Sequence, residues 1–163
     1  MVRSDPVPAY RFYVILLDAV DPTKSPGTAA KQALEAGKQV VAGFSSCTGL
    51  QTNSEIYEYK EGGLNSYVHK FVTRTSHPNI VLKRGITFTN DLWKWHQNVA
   101  SGKIVRKNGA VILQDDQGIP TAAWSFSNAL PLRMSGPDLD AMQSKTAVET
   151  LELSHEGLER LVI

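Results

Sequence analysis

The sequence predicts a mainly β fold with one good helix, of the sandwich or barrel kind. Three observations lead there. Short runs rich in aromatic and β-branched residues recur along the chain, separated by Gly, Pro, Asn and Asp clusters. Only one segment, 90–100, keeps a convincing helical spacing of apolar residues. The chain has 163 residues, 42% hydrophobic and 20% charged, and at that length roughly 70% of the unfolded surface can be buried, enough for one core. A single domain over 1–163 is therefore expected.

Taken in order, 10–17 is the first strand, with Pro6 and Pro8 keeping its leader extended. Residues 18–27 hold Asp21-Pro22 and Ser25-Pro26-Gly27, which is loop chemistry. A short helix is expected over 28–39, capped by Thr28 and weakened at Gly37. Together, about 18–41 is expected to be an inserted connection between two strands. The second strand is 40–49, and 50–53 links it to the most distinctive stretch.

That stretch runs from Ser54 to Thr87. Strands at 54–60 and 67–75 flank the polar segment Gly62-Gly63-Leu64-Asn65-Ser66, so a hairpin with an exposed tip is expected. Glu55, Tyr57 and Tyr59 fall on one face of its first strand, and Ile56 and Glu58 on the other. A polar tip by itself means only a solvated turn. Leu64 and Tyr67 argue for more, because an apolar and an aromatic side chain there suit a loop that docks on another surface.

A turn at Ser76-His77-Pro78-Asn79 follows, then a strand at 80–84 ending at Gly85. In the helix at 90–100, Asn90 is the expected cap, Asp91 suits the positive end of the dipole, and Leu92, Trp95, His96 and Val99 share one face. A helix this short in a β-rich chain is expected to plug an open end of the sheet packing. Strands at 103–113 and 121–126 flank the turn Asp115-Asp116-Gln117-Gly118. Another at 128–134 is broken by Pro131, a turn covers 135–138, and the last strand is 147–155. There Val148, Thr150, Glu152 and Ser154 oppose Glu149, Leu151, Leu153 and His155.

Composition narrows the function. The net charge is +1, from 17 basic and 16 acidic residues with no long run of one sign, so the concentrated basic footprint of a nucleic-acid binder is missing. Cys47 is the only cysteine, which excludes an internal disulfide or a thiolate cluster within one chain. Arg11 interrupts the N-terminal apolar residues, so no secretory signal is expected, and no apolar run approaches the ~20 residues of a membrane span. His69, His77, His96 and His155 lack metal-site spacing, and Asp115–Gly118 lacks the alternating ligands and closing Glu of a calcium loop. Trp93, Trp95 and Trp124 suit a core better than a ligand platform. No nucleophile elbow, phosphate loop or dinucleotide fingerprint is present, and catalytic, cofactor and metal residues are expected to be none.

Several stretches carry a resemblance: YRFY at 10–13, AGFSSCTGL at 42–50, YEYKEGGLNSYVH at 57–69, HPNIVLKRGIT at 77–87, WKWHQ at 93–97, AVILQDDQG at 110–118, WSFSNA at 124–129, SGPDLD at 135–140 and VETLELSHEGL at 148–158. In this order they resemble the tail tube protein family of contractile phage tails and phage-like, extracellular contractile injection systems. The resemblance implies a structural protein, not an enzyme: a β-barrel or sandwich of two packed antiparallel sheets with one helix. Family members form hexameric rings stacked into a hollow tube inside a contractile sheath, with baseplate or initiator and terminator proteins at its ends. Such a subunit is made in the bacterial cytoplasm and ends in the assembled particle.

In the family the loop matching Tyr59, Lys60, Glu61, Gly62, Gly63, Leu64, Asn65 and Ser66 mediates contacts between subunits and rings. The 18–41 segment departs from the family by its length, and its place in the fold is open. A shared channel would put Thr150, Glu152 and Ser154 toward water while Leu151 and Leu153 pack inward. Two uses of the tube stay open, protein cargo or puncture in an injection system and DNA passage in a phage tail, and the wording of 135–140 and 148–158 leans to the first. A monomeric small-ligand module using the Trp residues is the reading from another class.

Overall fold

The structure, a computed structural model, describes residues 8–18, 40–63 and 65–161. Ten strands and one helix follow in the order β1 (Phe12–Asp18), β2 (Val40–Ala42), β3 (Ser46–Thr48), β4 (Asn53–Tyr59), β5 (His69–Ser76), β6 (Ile80–Gly85), α1 (Asp91–Ala100), β7 (Lys107–Gln114), β8 (Pro120–Ser135), β9 (Val148–Ser154) and β10 (Gly157–Leu161). All pairings are antiparallel. The expected helix at 28–39, and with it most of the 18–41 insertion, lies outside the described residues.

Eight strands form one sheet in the order β2-β1-β7-β8-β9-β6-β3, with β10 added on β8, while β4 and β5 pair only with each other. The long β8 turns this sheet into two layers. Its first part pairs with β7 and β10, and residues 130–135 pair with β9. Between them Asn128 has a φ of 52°, where the β7–β8 register shifts, the bulge by which a strand passes from one layer to the next. Polar groups hold this corner: the Asn128 N–H donates to Asn108 Oδ1 at 2.9 Å, its side-chain amide to Glu156 Oε2 at 2.8 Å, and Arg106 to Glu156 Oε1 at 2.6 Å.

Alternation supplies the core between the layers. Val14 and Leu16 of β1, Val111 of β7 and Phe126 of β8 meet Ile80 and Leu82 of β6 and Leu151 and Leu153 of β9, closed by Leu92 and Trp95 of α1. Gly109 has no side chain where Phe126 passes; a Cβ there would strike its ring. The two layers and the helix at 91–100 are as expected, but among the described residues the sheet is open, ending at β2 on one side and β3 on the other, not closed as a barrel.

Four local expectations change. The strand expected at 40–49 is two, β2 and β3, at opposite ends of the sheet, because the chain crosses between layers and buries Phe44 on the way. The strand expected from 103 starts at Lys107. The runs at 121–126 and 128–134 are one strand: Pro131 is tolerated because residues 130–135 pair on one side only, leaving an edge where a missing N–H costs no ladder bond. Asn90 stands at the N-cap of α1 without a side-chain capping bond. β10 was not foreseen.

Candidate functional site

The β4–β5 hairpin is the part of the molecule that its own core does not explain. Its pairs run Ile56 with Val72, Tyr57 with Phe71, Glu58 with Lys70 and Tyr59 with His69, after an irregularity between Ser54 and Ile56. Directly paired residues share a face. One face therefore carries Tyr57, Phe71, Tyr59 and His69, and the other Ile56, Val72 and the Glu58–Lys70 ion pair at 3.7 Å. Every residue of β4 is exposed, and every residue of β5 except half-buried His69.

The sequence places an apolar stripe on each face, and neither is covered. Val72 is 70% exposed, Tyr67 59%, Tyr57 58%, Ile56 56% and Phe71 54%. His69 organises the aromatic face: its ring lies 5.2 Å from Tyr67, edge-on, and 6.3 Å from both Tyr59 and Phe71. A lone two-stranded ribbon is marginally stable in water, and a contiguous exposed apolar patch marks an interaction surface. The base is anchored. Gly49, at a φ of 91°, packs so close to the Asn79 carbonyl that a Cβ would collide, and His155 bridges the carbonyls of Pro78 and Gly157, each at 3.0 Å.

Of the tip residues singled out by sequence, Tyr59, Lys60, Glu61, Gly62, Gly63, Asn65 and Ser66 are all exposed. Leu64 lies outside the described residues. Gly63 takes a φ of 90° in the turn, and Glu61 Oε2 sits 3.1 Å from His69 Nε2, tying the tip to the aromatic face. The sequence reading centred on the tip and missed Ile56, Phe71 and Val72. Their signal was present: a strand pair with apolar residues on both faces needs partners on both.

Thr150, Glu152 and Ser154 lie half-buried on the outer face of the second layer, while Leu151 and Leu153 are in the core. Their ladder neighbours include Lys83, Val81, Arg133 and Ser135, and Glu152 Oε1 accepts a bond from Asn79 Nδ2 at 2.8 Å. The result is a mostly polar sheet face. Next to it, Glu149 is buried, ion-paired with buried Arg84 and accepting a bond from Trp93 Nε1 at 3.1 Å.

The three tryptophans are divided between separate jobs. Trp95 is buried and donates to the Val105 carbonyl at 2.7 Å, Trp93 serves Glu149, and Trp124 is paired within the first layer between Val111 and Arg160. Neither of two surface clefts, of about 410 and 200 Å³, is lined by any of them. Asp115–Gly118 is a hairpin turn in which Asp115 Oδ1 accepts from Gln117 and Ile119 N–H at 2.9 and 2.8 Å. Among the described residues no group of three His, Cys, Asp or Glu is placed to hold a metal, and no helix is long and apolar enough to cross a membrane. Burial pushes the Cys47 thiol up to about 11, away from the range of a nucleophile at neutral pH.

Comparison with known proteins finds the same overall fold in tube-associated assemblies. The chain is similar to a protein in the 6-fold symmetrised anti-feeding prophage baseplate, at 25% identity and TM-score 0.80 over 98% of each chain. It is similar to one in the anti-feeding prophage tube terminating cap, at 25% identity and TM-score 0.79 over 100% of this chain and 95% of that one. A protein in the sheath–tube complex of the extracellular contractile injection system PVC shares the fold, at 23% identity and TM-score 0.77 over 97% and 93%. No curated protein sequence matches. The sequence profile of the family described as T4-like virus tail tube protein gp19 matches residues 10–159, and with nearly the whole chain covered, this is a member of that tail tube family.

Proposed function

We propose that this chain is the inner tube subunit of a phage-like contractile injection system. It assembles as hexameric rings that stack into a hollow tube, which sheath contraction drives through the target envelope to deliver cargo. The protein is structural and has no enzymatic role. The observation that carries the reading is the hairpin: a ribbon with uncovered apolar residues on both faces is stable only against other chains. The edges of the second layer support it. Among the described residues β3 and residues 130–135 of β8 each pair on one side only, and neighbours in a ring satisfy such edges. The polar face carrying Thr150, Glu152 and Ser154 then lines the channel, in line with its half-exposed alternation.

The contractile sheath, a baseplate or initiator protein and a terminator are the partners, consistent with the baseplate, cap and sheath–tube assemblies that hold its structural relatives. The subunit is made in the bacterial cytoplasm and functions within the assembled particle, as a single tube domain into which the 18–41 segment is inserted. A phage tail tube passing DNA is the second reading, favoured by the T4-like description of the family. Negative-stain microscopy of the purified protein tests the main claim: six-fold rings or tubes are expected, and persistent monomers whose melting temperature rises with a small ligand would replace it with a binding module. Nucleic acid recovered from purified whole particles would move the assignment to a phage.

A further inference from the structure

His155 sits where three parts of the chain meet: it follows β9, precedes β10 and reaches the residues that join β5 to β6. It is buried, at 7% exposure. Its Nδ1 lies 3.0 Å from the Gly157 carbonyl oxygen, and its Nε2 3.0 Å from the Pro78 carbonyl oxygen at the root of the hairpin. Both partners are carbonyls, which only accept. A neutral imidazole has one N–H, and its other nitrogen is an acceptor. Neutral His155 therefore makes one of these bonds and sets a lone pair against the second oxygen, whereas the imidazolium donates to both.

The groups around the ring leave that second proton to His155. The His77 ring, just before β6, has its centroid 5.4 Å from that of His155, and the Phe126 ring of β8 lies at 6.3 Å. His77 differs in its partner: its Nδ1 is 3.4 Å from the Thr52 hydroxyl, which can donate or accept, so a neutral ring satisfies it. Two imidazolium rings this close repel. The pair therefore takes up one added proton before two, and the ring facing two carbonyls is the one that uses it. The carboxylates nearby are engaged elsewhere or exposed. Glu156 in the turn meets Arg106 and the Asn128 amide, Glu152 of β9 accepts from Asn79, and exposed Glu159 of β10 borders, with His77, the cleft of about 200 Å³.

We propose that His155 is a pH-sensitive clamp between the root of the β4–β5 hairpin and the β9–β10 turn, closed when both ring nitrogens carry protons and half-released when only one does. The Gly157 side stays in place. There the turn is held independently, by the Glu156 N–H donating to the Ser127 carbonyl at 3.0 Å and by Gly157 pairing with Ser127. The Pro78 side joins positions 77 residues apart, and it is the side that parts. As pH rises from about 5 to about 8, the interval in which histidine changes charge, the tie between the hairpin root and the first layer loosens. The other grips on 77–79, Thr52 on His77 and Glu152 on Asn79, remain and keep the root on the second layer. The clamp lies within one chain, so it does not depend on the tube reading.

Heteronuclear NMR of the histidine ring nitrogens in the full chain, from about pH 5 to about pH 8, reads the clamp directly. At the acid end both His155 nitrogens are expected to carry protons, and at the alkaline end Nδ1 alone. Over the same range the hydrogen-exchange protection of the amides at 79–82, corrected for the intrinsic pH dependence of exchange, is expected to fall roughly tenfold, about the worth of one hydrogen bond. In His77→Gln that fall is expected to persist. In His155→Phe, which keeps a ring and removes both donors, protection is expected to be low throughout and insensitive to pH. A wild-type ring with the same protonation at both ends of the range overturns the proposal, and so does wild-type protection that stays constant. A fall lost in His77→Gln but kept in His155→Phe overturns it too, by assigning the response to His77. Should His155→Phe fail to fold, the wild-type spectra and the His77→Gln exchange still decide.

Discussion

Glu149 holds three elements together with one carboxylate. On β9 it meets Arg84 of β6 and the Trp93 indole of α1, and both members of the ion pair are buried, Arg84 at 2% exposure. Arg84 Nη2 has no partner among the described residues, so the guanidinium depends on this one acid. Removing one member of a buried pair leaves an uncompensated charge, at a cost of about 3–5 kcal/mol. Glu149→Ala is therefore expected to lower the chemical-denaturation midpoint sharply, and replacing both Arg84 and Glu149 by Met to recover most of it. Cys47 makes a second prediction at this scale. With its thiol pushed from 9.0 up to about 11, the thiolate fraction at pH 8 falls about 100-fold from its unfolded value. Alkylation is expected to be slow in native protein and fast in denaturant. Because the folded value is the higher one, the contribution to stability is full below about pH 9 and is lost as pH rises through about 11.

At the scale of the element, the hairpin stands apart from the eight-stranded sheet, β4 and β5 pairing only with each other among the described residues, and its apolar residues are exposed. Its cross-strand pairs contribute roughly 0.2–1 kcal/mol each, too little to protect it alone. Limited trypsin digestion of the isolated chain is expected to cut first after Lys60, Lys70 or Arg74, all exposed, leaving the eight-stranded sheet intact; assembled tubes are expected to resist. Equal resistance in the isolated chain would mean the hairpin is already covered. The sequence predicted this element well, since the alternation of 54–60 and the glycines at 62 and 63 are local signals. It predicted β8 poorly. Pro131 reads as a break by local rules, and only the one-sided pairing of 130–135 makes it harmless.

At the scale of the molecule, the second layer has two faces with opposite requirements. Leu151 is 1% exposed between the layers, whereas its neighbour Glu152 is half-buried outside with one bond to Asn79. Glu152→Lys is expected to lose about 0.5–1.5 kcal/mol for that bond and still fold. Leu151→Asp is expected to unfold the chain, because a charge would enter a core without a partner. Circular dichroism melting distinguishes the two; a Glu152→Lys chain that fails to fold would remove this face from the channel wall.

Local chemistry in the sequence determined the mainly β class, the helix through Leu92 and Trp95, the turn at Asp115–Gly118, and the inward and outward residues of β9, because each depends on neighbours a few positions away. The motif string also carried the family, which the match over residues 10–159 bears out. Only the tertiary structure decided that 40–49 divides between two sheet edges, that Asn128 carries one strand through both layers, and that the apolar residues of the hairpin have no cover. Those are relations between residues far apart in the chain. Whether Tyr57 or Phe71 belongs to a core or to a surface depends on what lies across from it, and its own sequence neighbourhood does not contain that partner.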